Sequence, residues 1–182
     1  MQRNVCVFCG SRDGQGDGYA RLAEEFGAAL GQRGWTLVYG GGSVGLMGRI
    51  AKATQGHGGS VVGVIPEAMD TVEVAYRDAD ELIVVDTMRQ RKQIMDDRSD
   101  AFVVLPGGFG TLEELSEVIT HRYLNYHGKP VILLNYEGFY DPLLELFDHF
   151  IGAEFAGERF RQAYVVTHDV ASTMSALEAV PA

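Results

Sequence analysis

Val103 to Glu117 reads VVLPGGFGTLEELSE, and the fold turns on how this stretch is interpreted. Ala101 to Leu105 is a short apolar run that predicts a buried strand. Pro106, Gly107, Gly108 and Gly110 then turn the chain. A helix is expected from Thr111 to about Tyr126, with Leu112, Leu115, Ile119 and Tyr123 on one core-facing stripe. Glycines leave backbone N–H groups uncovered, and the first turn of a helix adds unpaired donors at the positive end of its dipole. Together these make a seat for an anion, phosphate above all. Glu113 and Glu114 are expected in the same first turn. Acids suit helix N-termini on electrostatic grounds alone. Beside an anion seat they also fit a ligand with one anionic end and a hydroxyl-rich part, such as a sugar phosphate.

Towards the C-terminus, Val131 to Asn135 predicts another strand and Phe139 to Phe150 an amphipathic helix opening at Asp141-Pro142. A strand over Ala163 to Thr167 and a helix over Val170 to Ala179 close the chain. Towards the N-terminus, Asn4 to Cys9 is a strand ending at Gly10 and Ser11, the position at which open α/β sheets bind ligands. A helix over Tyr19 to Leu30 and a strand over Trp35 to Tyr39 follow. The run Gly40-Gly41-Gly42-Ser43-Val44-Gly45 comes next and satisfies G-x-G-x-x-G before a helix over Leu46 to Gln55. The next strand, Val61 to Ile65, ends at Pro66-Glu67, where an acid can contact a ribose. Residues 68–80 are polar and predict a mobile loop near the site. Glu81 to Val85 is a further strand, with Asp86 or Thr87 as cap of the helix after it. The alternation predicts an α/β protein: a Rossmann-like, doubly wound, mostly parallel sheet with helices on both faces, with residues 1–182 as a single domain.

The helix over Met88 to Arg98 carries the most informative charge. Met88, Ile94 and Met95 share a face with Arg91, whereas Arg89, Gln90 and Gln93 point elsewhere. An arginine on an apolar face can cover it with its stem. Drawn in as a guanidinium, it needs an anionic partner, either a phosphate or Glu114.

Composition narrows the possibilities. Hydrophobic residues make up 46% and charged residues 22% of 182, an ordinary globular balance. A net charge of −10 argues against a nucleic-acid partner, so any phosphate must be held by local groups. No run reaches membrane-spanning length and Met1 to Gly10 lacks the anatomy of a signal peptide, so the expected location is the cytoplasm. Cys6 and Cys9 form C-x-x-C without the further ligands a zinc site needs, and Cys6 lies inside an apolar run. Two buried thiols are expected, with neither metal nor cofactor. His121 and His127 are expected as surface or cap residues.

Three segments resemble one family. PGGFGTLEE matches the PGGxGTxxE signature of the LOG proteins, the cytokinin riboside 5′-monophosphate phosphoribohydrolases, long mislabelled as putative lysine decarboxylases. GGGSVGLMG is similar to the family's second glycine-rich segment, and MRQRKQIM to its M-x-x-R-K-x-x-M segment. The resemblance runs from about Val5 to Phe150. It implies Arg91 and Glu114 as the catalytic pair. For substrate binding it adds Lys92, Glu67 and Thr120 to the residues read above, Glu113, Gly10, Ser11, Gly41, Gly42, Gly45, Gly107, Gly108, Gly110 and Thr111. It also implies a dimer; aromatics such as Tyr123, Tyr126 and Tyr140 could serve its interface if exposed, and core packing explains them equally well. The reaction implied is hydrolysis of the bond between the base and ribose 5-phosphate in an adenosine 5′-monophosphate, N6-modified or plain. A carboxylate held ionised by the helix N-terminus suits the positive charge that develops on the sugar.

Three other readings stand beside it. One is a nucleotide or cofactor carrier without turnover on the same architecture. Another is a dinucleotide-dependent oxidoreductase, resting on G-x-G-x-x-G alone. The last is a decarboxylase, although no pyridoxal-phosphate site is visible around Lys52, Lys92 or Lys129.

Overall fold

The computed structural model describes residues 2–71 and 74–179. In chain order the elements are β1 Asn4–Phe8, α1 Gly18–Gln32, β2 Thr36–Tyr39, α2 Gly45–Gly56, β3 Ser60–Pro66 and β4 Glu81–Val85. They continue with α3 Met88–Asp97, β5 Ala101–Val104, α4 Phe109–Tyr123, β6 Val131–Leu134, α5 Asp141–Gly152, β7 Val165–Thr167 and α6 Val170–Glu178. The strands form one seven-stranded sheet in the order β4-β3-β2-β1-β5-β6-β7. All the pairings are parallel. The chain builds outward from β1 through β4, then crosses back so that β5 pairs β1 on its other side. The β1/β5 boundary is therefore the switch point at which ligands enter such sheets.

Strands buried on both faces need apolar side chains pointing both ways, and β1 (NVCVF) and β5 (AFVV) supply them. One face packs beneath α1, α2 and α6 around Phe26, Leu30, Ile50 and Met174. The opposite face packs beneath α3, α4 and α5 around Met95, Phe102, Leu115 and Ile119. Cys6 belongs to the second cluster and Cys9 to the first, so successive cysteine side chains of the run point to opposite layers as free, buried thiols. Gly27 of α1 sits against the backbone of Ile50, where a Cβ would meet the carbonyl oxygen at 2.6 Å, and this lets α1 and α2 approach closely.

The expected elements form, with informative differences. Thr87 caps α3: its hydroxyl accepts from the Gln90 N–H at 3.2 Å and the Gln90 side chain accepts from the Thr87 N–H at 3.2 Å. The helix α4 begins at Phe109, two residues before the predicted Thr111, because Gly108 is extended and serves as its N-cap. It ends at Tyr123 instead of near Tyr126, since Asn125 turns left-handed at φ 62°. The last strand starts at Val165, because residues Glu158–Gln162 wind into a short 3₁₀ turn.

The loop after β3, expected to be mobile and near the site, makes specific contacts with the first glycine-rich turn. Residues 72 and 73 lie outside the described residues, but Ala75 and Tyr76 on their far side are buried. Ala75 makes an antiparallel bridge to Gly42, the Tyr76 N–H donates to the Gly41 carbonyl at 2.9 Å, and the Ser43 N–H donates to Val74 at 2.7 Å. This strap takes up the Gly41 carbonyl and the Ser43 N–H of the first glycine-rich turn. Of the two uses open to Tyr140, interface or core, the structure shows the core: it is buried and donates its hydroxyl to the Leu105 carbonyl at 2.7 Å. It supports the strand end below the second glycine turn. Tyr123 is half-buried and stacks on Phe160, and Tyr126 is exposed.

Candidate active site

The carboxyl ends of β1, β2, β3 and β5 converge on one edge of the sheet, and the loops leaving them carry the predicted site residues. The Gly10 N–H donates to the Pro106 carbonyl at 3.0 Å, tying the β1 and β5 loops together at the switch point. Gly45 has φ 60° and packs directly on the Ser11–Arg12 backbone, bringing the start of α2 against the β1 loop. Gly10, Ser11, Gly107 and Gly108 thus line one cavity of about 380 Å³. Gly108 and Gly110 have open space where a side chain would be. Thr111 is buried, with its hydroxyl packed beneath Gly107. The N–H groups that open α4 precede any intrahelical acceptor, and this is the feature an anion needs.

Arg91 and Glu114 meet beside this turn. Each residue is 8% exposed, and Arg91 Nη1 donates to Glu114 Oε1 at 2.8 Å. Arg91 Nε donates to the Val64 carbonyl at 3.1 Å, so the guanidinium is anchored to the end of β3 as well. It lies over Gly40 at the end of β2, and any Cβ there would collide with Nη2. The inward face predicted for Arg91 is the one observed, and its partner is Glu114.

Glu114 differs in one respect from the expectation. With α4 opening at Phe109, neither Glu113 nor Glu114 stands in its first turn. Helix dipole effects fade within that turn, so the helix end does not hold Glu114 ionised. Burial pushes its carboxyl above the ordinary glutamate range, while the charge and hydrogen bond of Arg91 pull back and Glu113 adds to the rise. A carboxylate with a raised pKa beside a fixed cation is a better proton acceptor near neutrality than an ordinary surface glutamate. Cys6 and Cys9 are no rivals as nucleophiles, since burial pushes both thiols far up.

Lys92 donates to Glu113 and to Glu117, bracing α3 against α4. Lys92, Glu113 and Glu114 line a cavity of about 550 Å³ between those helices, floored by Phe8 and Phe102. Gly41 and Gly42 face the strap from Val74 to Tyr76. Glu67 is exposed in the 3₁₀ turn that follows β3, on the same sheet edge. Thr120 stands apart: it lies six residues beyond Glu114, about 9 Å along α4, and lines a groove shared with α5. His121 is half-buried on the 550 Å³ cavity. His127, expected at the surface or a cap, instead packs against the Phe102 ring with its Nε2 on the Val118 carbonyl at 3.1 Å. Gly40 was not singled out by its sequence context. A glycine beside two others carries no sign that a guanidinium from another helix occupies its side-chain space.

Comparisons with known proteins place the chain in a family. The sequence profile described as "Possible lysine decarboxylase" matches residues 47–177. The chain is 43% identical over 176 residues to a protein of Rhodococcoides fascians named cytokinin riboside 5′-monophosphate phosphoribohydrolase, covering 96% of this chain and 89% of that one. It is 44% identical over 172 residues to a protein of the same name from Mycobacterium tuberculosis, covering 94% and 91%. It is 46% identical over 176 residues to the probable phosphoribohydrolase LOGL5 of Oryza sativa, covering 97% and 72%. Among solved structures, the molybdenum cofactor binding protein of Rippkaea orientalis superposes with a TM-score of 0.74 at 20% identity, over 98% of this chain and 96% of that one. A Moco carrier protein of Chlamydomonas reinhardtii does so with 0.72 at 24%, over 98% and 96%. At that identity the likeness is one of fold. The residues of the two glycine turns, the Arg91–Glu114 pair and the extent of these matches together make this chain a member of the LOG family, whose profile bears the lysine decarboxylase description.

Proposed function

We propose that this protein hydrolyses the N-glycosidic bond of adenosine 5′-monophosphates, N6-modified or plain, to free base and ribose 5-phosphate. The observation that carries the reading is the buried Arg91–Glu114 ion pair beside an open glycine turn. Phosphate sits on the N–H groups of Gly107 to Thr111, and the sugar extends along α4 towards Glu114. The axial distance from Gly108 to Glu114, six residues or about 9 Å, accommodates a sugar phosphate. Water adds to C1′ as the bond to the base nitrogen breaks. Glu114 accepts the water's proton, and the departing nitrogen gains one in return. The positive charge that develops on the sugar is stabilised by the same carboxylate. Arg91 fixes the carboxylate and is tethered to β3, so the geometry exists before substrate arrives. Arg91, which stays protonated, orients and stabilises without transferring a proton.

The relatives' names favour an N6-modified base. The test is release of base and ribose 5-phosphate from AMP and N6-isopentenyl-AMP, with the nucleosides as controls. Glu114→Ala and Arg91→Ala should each lose about 100-fold or more. Cleavage of nucleosides as fast as their monophosphates would sink the reading. Saturable nucleotide binding without cleavage would move it to a carrier.

We further propose a homodimer, supported by the family resemblance and by a groove of about 560 Å³ between α4 and α5 lined by Phe147, Phe150, Phe155 and Phe160. Phe155 is 90% exposed in the single chain. Light scattering at the mass of one chain would remove this part. A cytoplasmic location suits the two free thiols, and a net charge of −10 suits a small nucleotide better than a nucleic acid. No helix among the described residues is long and apolar enough to cross a membrane.

A further inference from the structure

A phosphate dianion in an acidic protein needs a cation, and the paired basic groups near the strand ends are already committed. Arg49 binds Asp13 and Glu24, Arg91 binds Glu114, and Lys92 is held by Glu113 and Glu117. Lys92 lines the cavity between α3 and α4, as does Arg89, which has no ion pair among the described residues. Glu114 lines that cavity too, so on the reading above it takes the sugar end of the substrate, while the phosphate end goes to the separate cavity at the glycine turn.

Arg12 is placed differently. It is the one basic residue among the described residues that line the glycine-turn cavity, together with Gly10, Ser11, Gly107 and Gly108. Its side chain makes no hydrogen bond or ion pair with any described residue. The acid beside it, Asp13, is also the one acid on that cavity, and it is occupied. Arg49 Nε donates to its Oδ1 at 2.7 Å and Nη2 to its Oδ2 at 3.2 Å. That fork holds the Asp13 carboxyl below its ordinary range, so it stays ionised on Arg49. The backbone carrying Arg12 is fixed from two sides, by Gly45 packed on Ser11–Arg12 and by the Gly10 to Pro106 hydrogen bond. An exposed guanidinium with no partner among the described residues, on a fixed backbone that lines the same cavity as Gly107 and Gly108, is available for bidentate capture of an oxyanion.

We propose that Arg12 is the cation that receives the 5′-phosphate and confers preference for nucleoside monophosphates over nucleosides. The inference rests on the phosphate seat assigned above and adds the residue that gives it charge. Arg12 acts in binding, with the phosphate as its partner, and Arg91 and Glu114 act on the sugar.

The experiment is calorimetric titration of ribose 5-phosphate and of adenosine into wild type, Arg12→Ala and Arg12→Lys, with melting temperatures measured alongside. Arg12→Ala should weaken ribose 5-phosphate at least tenfold, leave adenosine within twofold, and leave the melting temperature unchanged, because no internal contact is lost. Arg12→Lys should recover part of the loss, as a point charge in place of a fork. Ribose 5-phosphate affinity within twofold of wild type in Arg12→Ala, or equal weakening of both ligands, overturns the proposal. Failure of ribose 5-phosphate to bind wild type overturns it as well. Wild-type hydrolysis of AMP is scored separately. A wild type that cleaves nothing, in which Arg12→Ala still loses ribose 5-phosphate, keeps Arg12 and discards the hydrolase. The converse pattern keeps the hydrolase and discards Arg12.

Discussion

The two glycine-rich turns look alike as sequence, each following a buried strand and opening a helix, yet their glycines answer to different neighbours. In the turn after β2, the space beside each of Gly40, Gly41 and Gly45 is filled from within. The Arg91 guanidinium lies at Gly40, Ile65 lies 3.1 Å from a Cβ position at Gly41, and the Ser11–Arg12 backbone lies at Gly45. The Gly41 carbonyl and the Ser43 N–H are further engaged by the strap from Val74 to Tyr76. In the turn after β5, Gly108 and Gly110 have nothing within 4 Å. A crowded glycine serves the fold, whereas a glycine facing empty space beside unpaired N–H groups leaves room for a ligand. The family match, and not the G-x-G-x-x-G pattern, weighs against the dinucleotide-dependent oxidoreductase reading.

Substitutions at the two turns should separate these uses. Gly45→Ala forces a left-handed backbone on a side chain and drives it into the Ser11–Arg12 peptide. A loss of about 3 kcal/mol is expected, read as a fall of roughly 10 °C in melting temperature. Retention of wild-type stability would break the comparison at its firmest point. Gly40→Ala should fold but displace the Arg91 guanidinium. Hydrolysis should drop about 100-fold, near 2.7 kcal/mol of transition-state stabilisation, and a fully active variant would show that Arg91 does not work from this position. Gly110→Ala has an ordinary helical backbone and open space. Its melting temperature should stay level or rise, with a gain of up to about 1 kcal/mol, while nucleotide turnover falls roughly tenfold as a methyl enters the phosphate seat. A melting temperature lowered with turnover intact would reverse the roles of the two turns.

Smaller effects follow from the buried titratable groups. Because burial raises the Glu114 carboxyl above 4.5, the acid limb of the kcat/KM profile should lie above the ordinary glutamate value. Arg91→Gln removes the group that lowers it and should move the limb further up. The same shift means that Glu114 favours the folded state below its unfolded value, and that this contribution is lost as pH rises through the folded one. A pH profile unchanged in Arg91→Gln would detach Glu114 from the chemistry. His127 has the opposite sign. Burial against Phe102 lowers its pKa below 6.5, with its Nδ1 buried and unpartnered. Stability should fall as pH drops through the ordinary histidine value, and His127→Gln should flatten that slope in denaturant titrations at stepped pH.

Much of this was legible because it is local. A run such as VVLPGG states its strand and its turn within six residues, and helical spacing alone turned Arg91 inward while leaving its partner open between phosphate and Glu114. The capping box at Thr87 and Gln90 is equally local. The start of α4 was misplaced by two residues because glycine permits both an extended and a helical backbone, and only packing chooses. That small shift removed Glu114 from the first turn and replaced a dipole argument by a desolvation one. The loop after β3 read as mobile because its residues are polar, while the contacts that fix it belong to Gly41, Gly42 and Gln55, far back in the chain.

By itself, then, the sequence determined the succession of strands and helices, the two glycine turns and the inward face of α3, since these depend on neighbours within a few residues. The tertiary structure decided which glycines are crowded and which face open space, that Lys92 braces α3 against α4, and that Arg12 lines the cavity at the second turn with no side-chain partner among the described residues. It alone reserved the space at Gly40 for a guanidinium. Those outcomes depend on the crossover that sets β5 beside β1, which brings residues distant in the chain to one sheet edge. Burial and charge pairing at that edge are properties of the assembled layers and of no single segment.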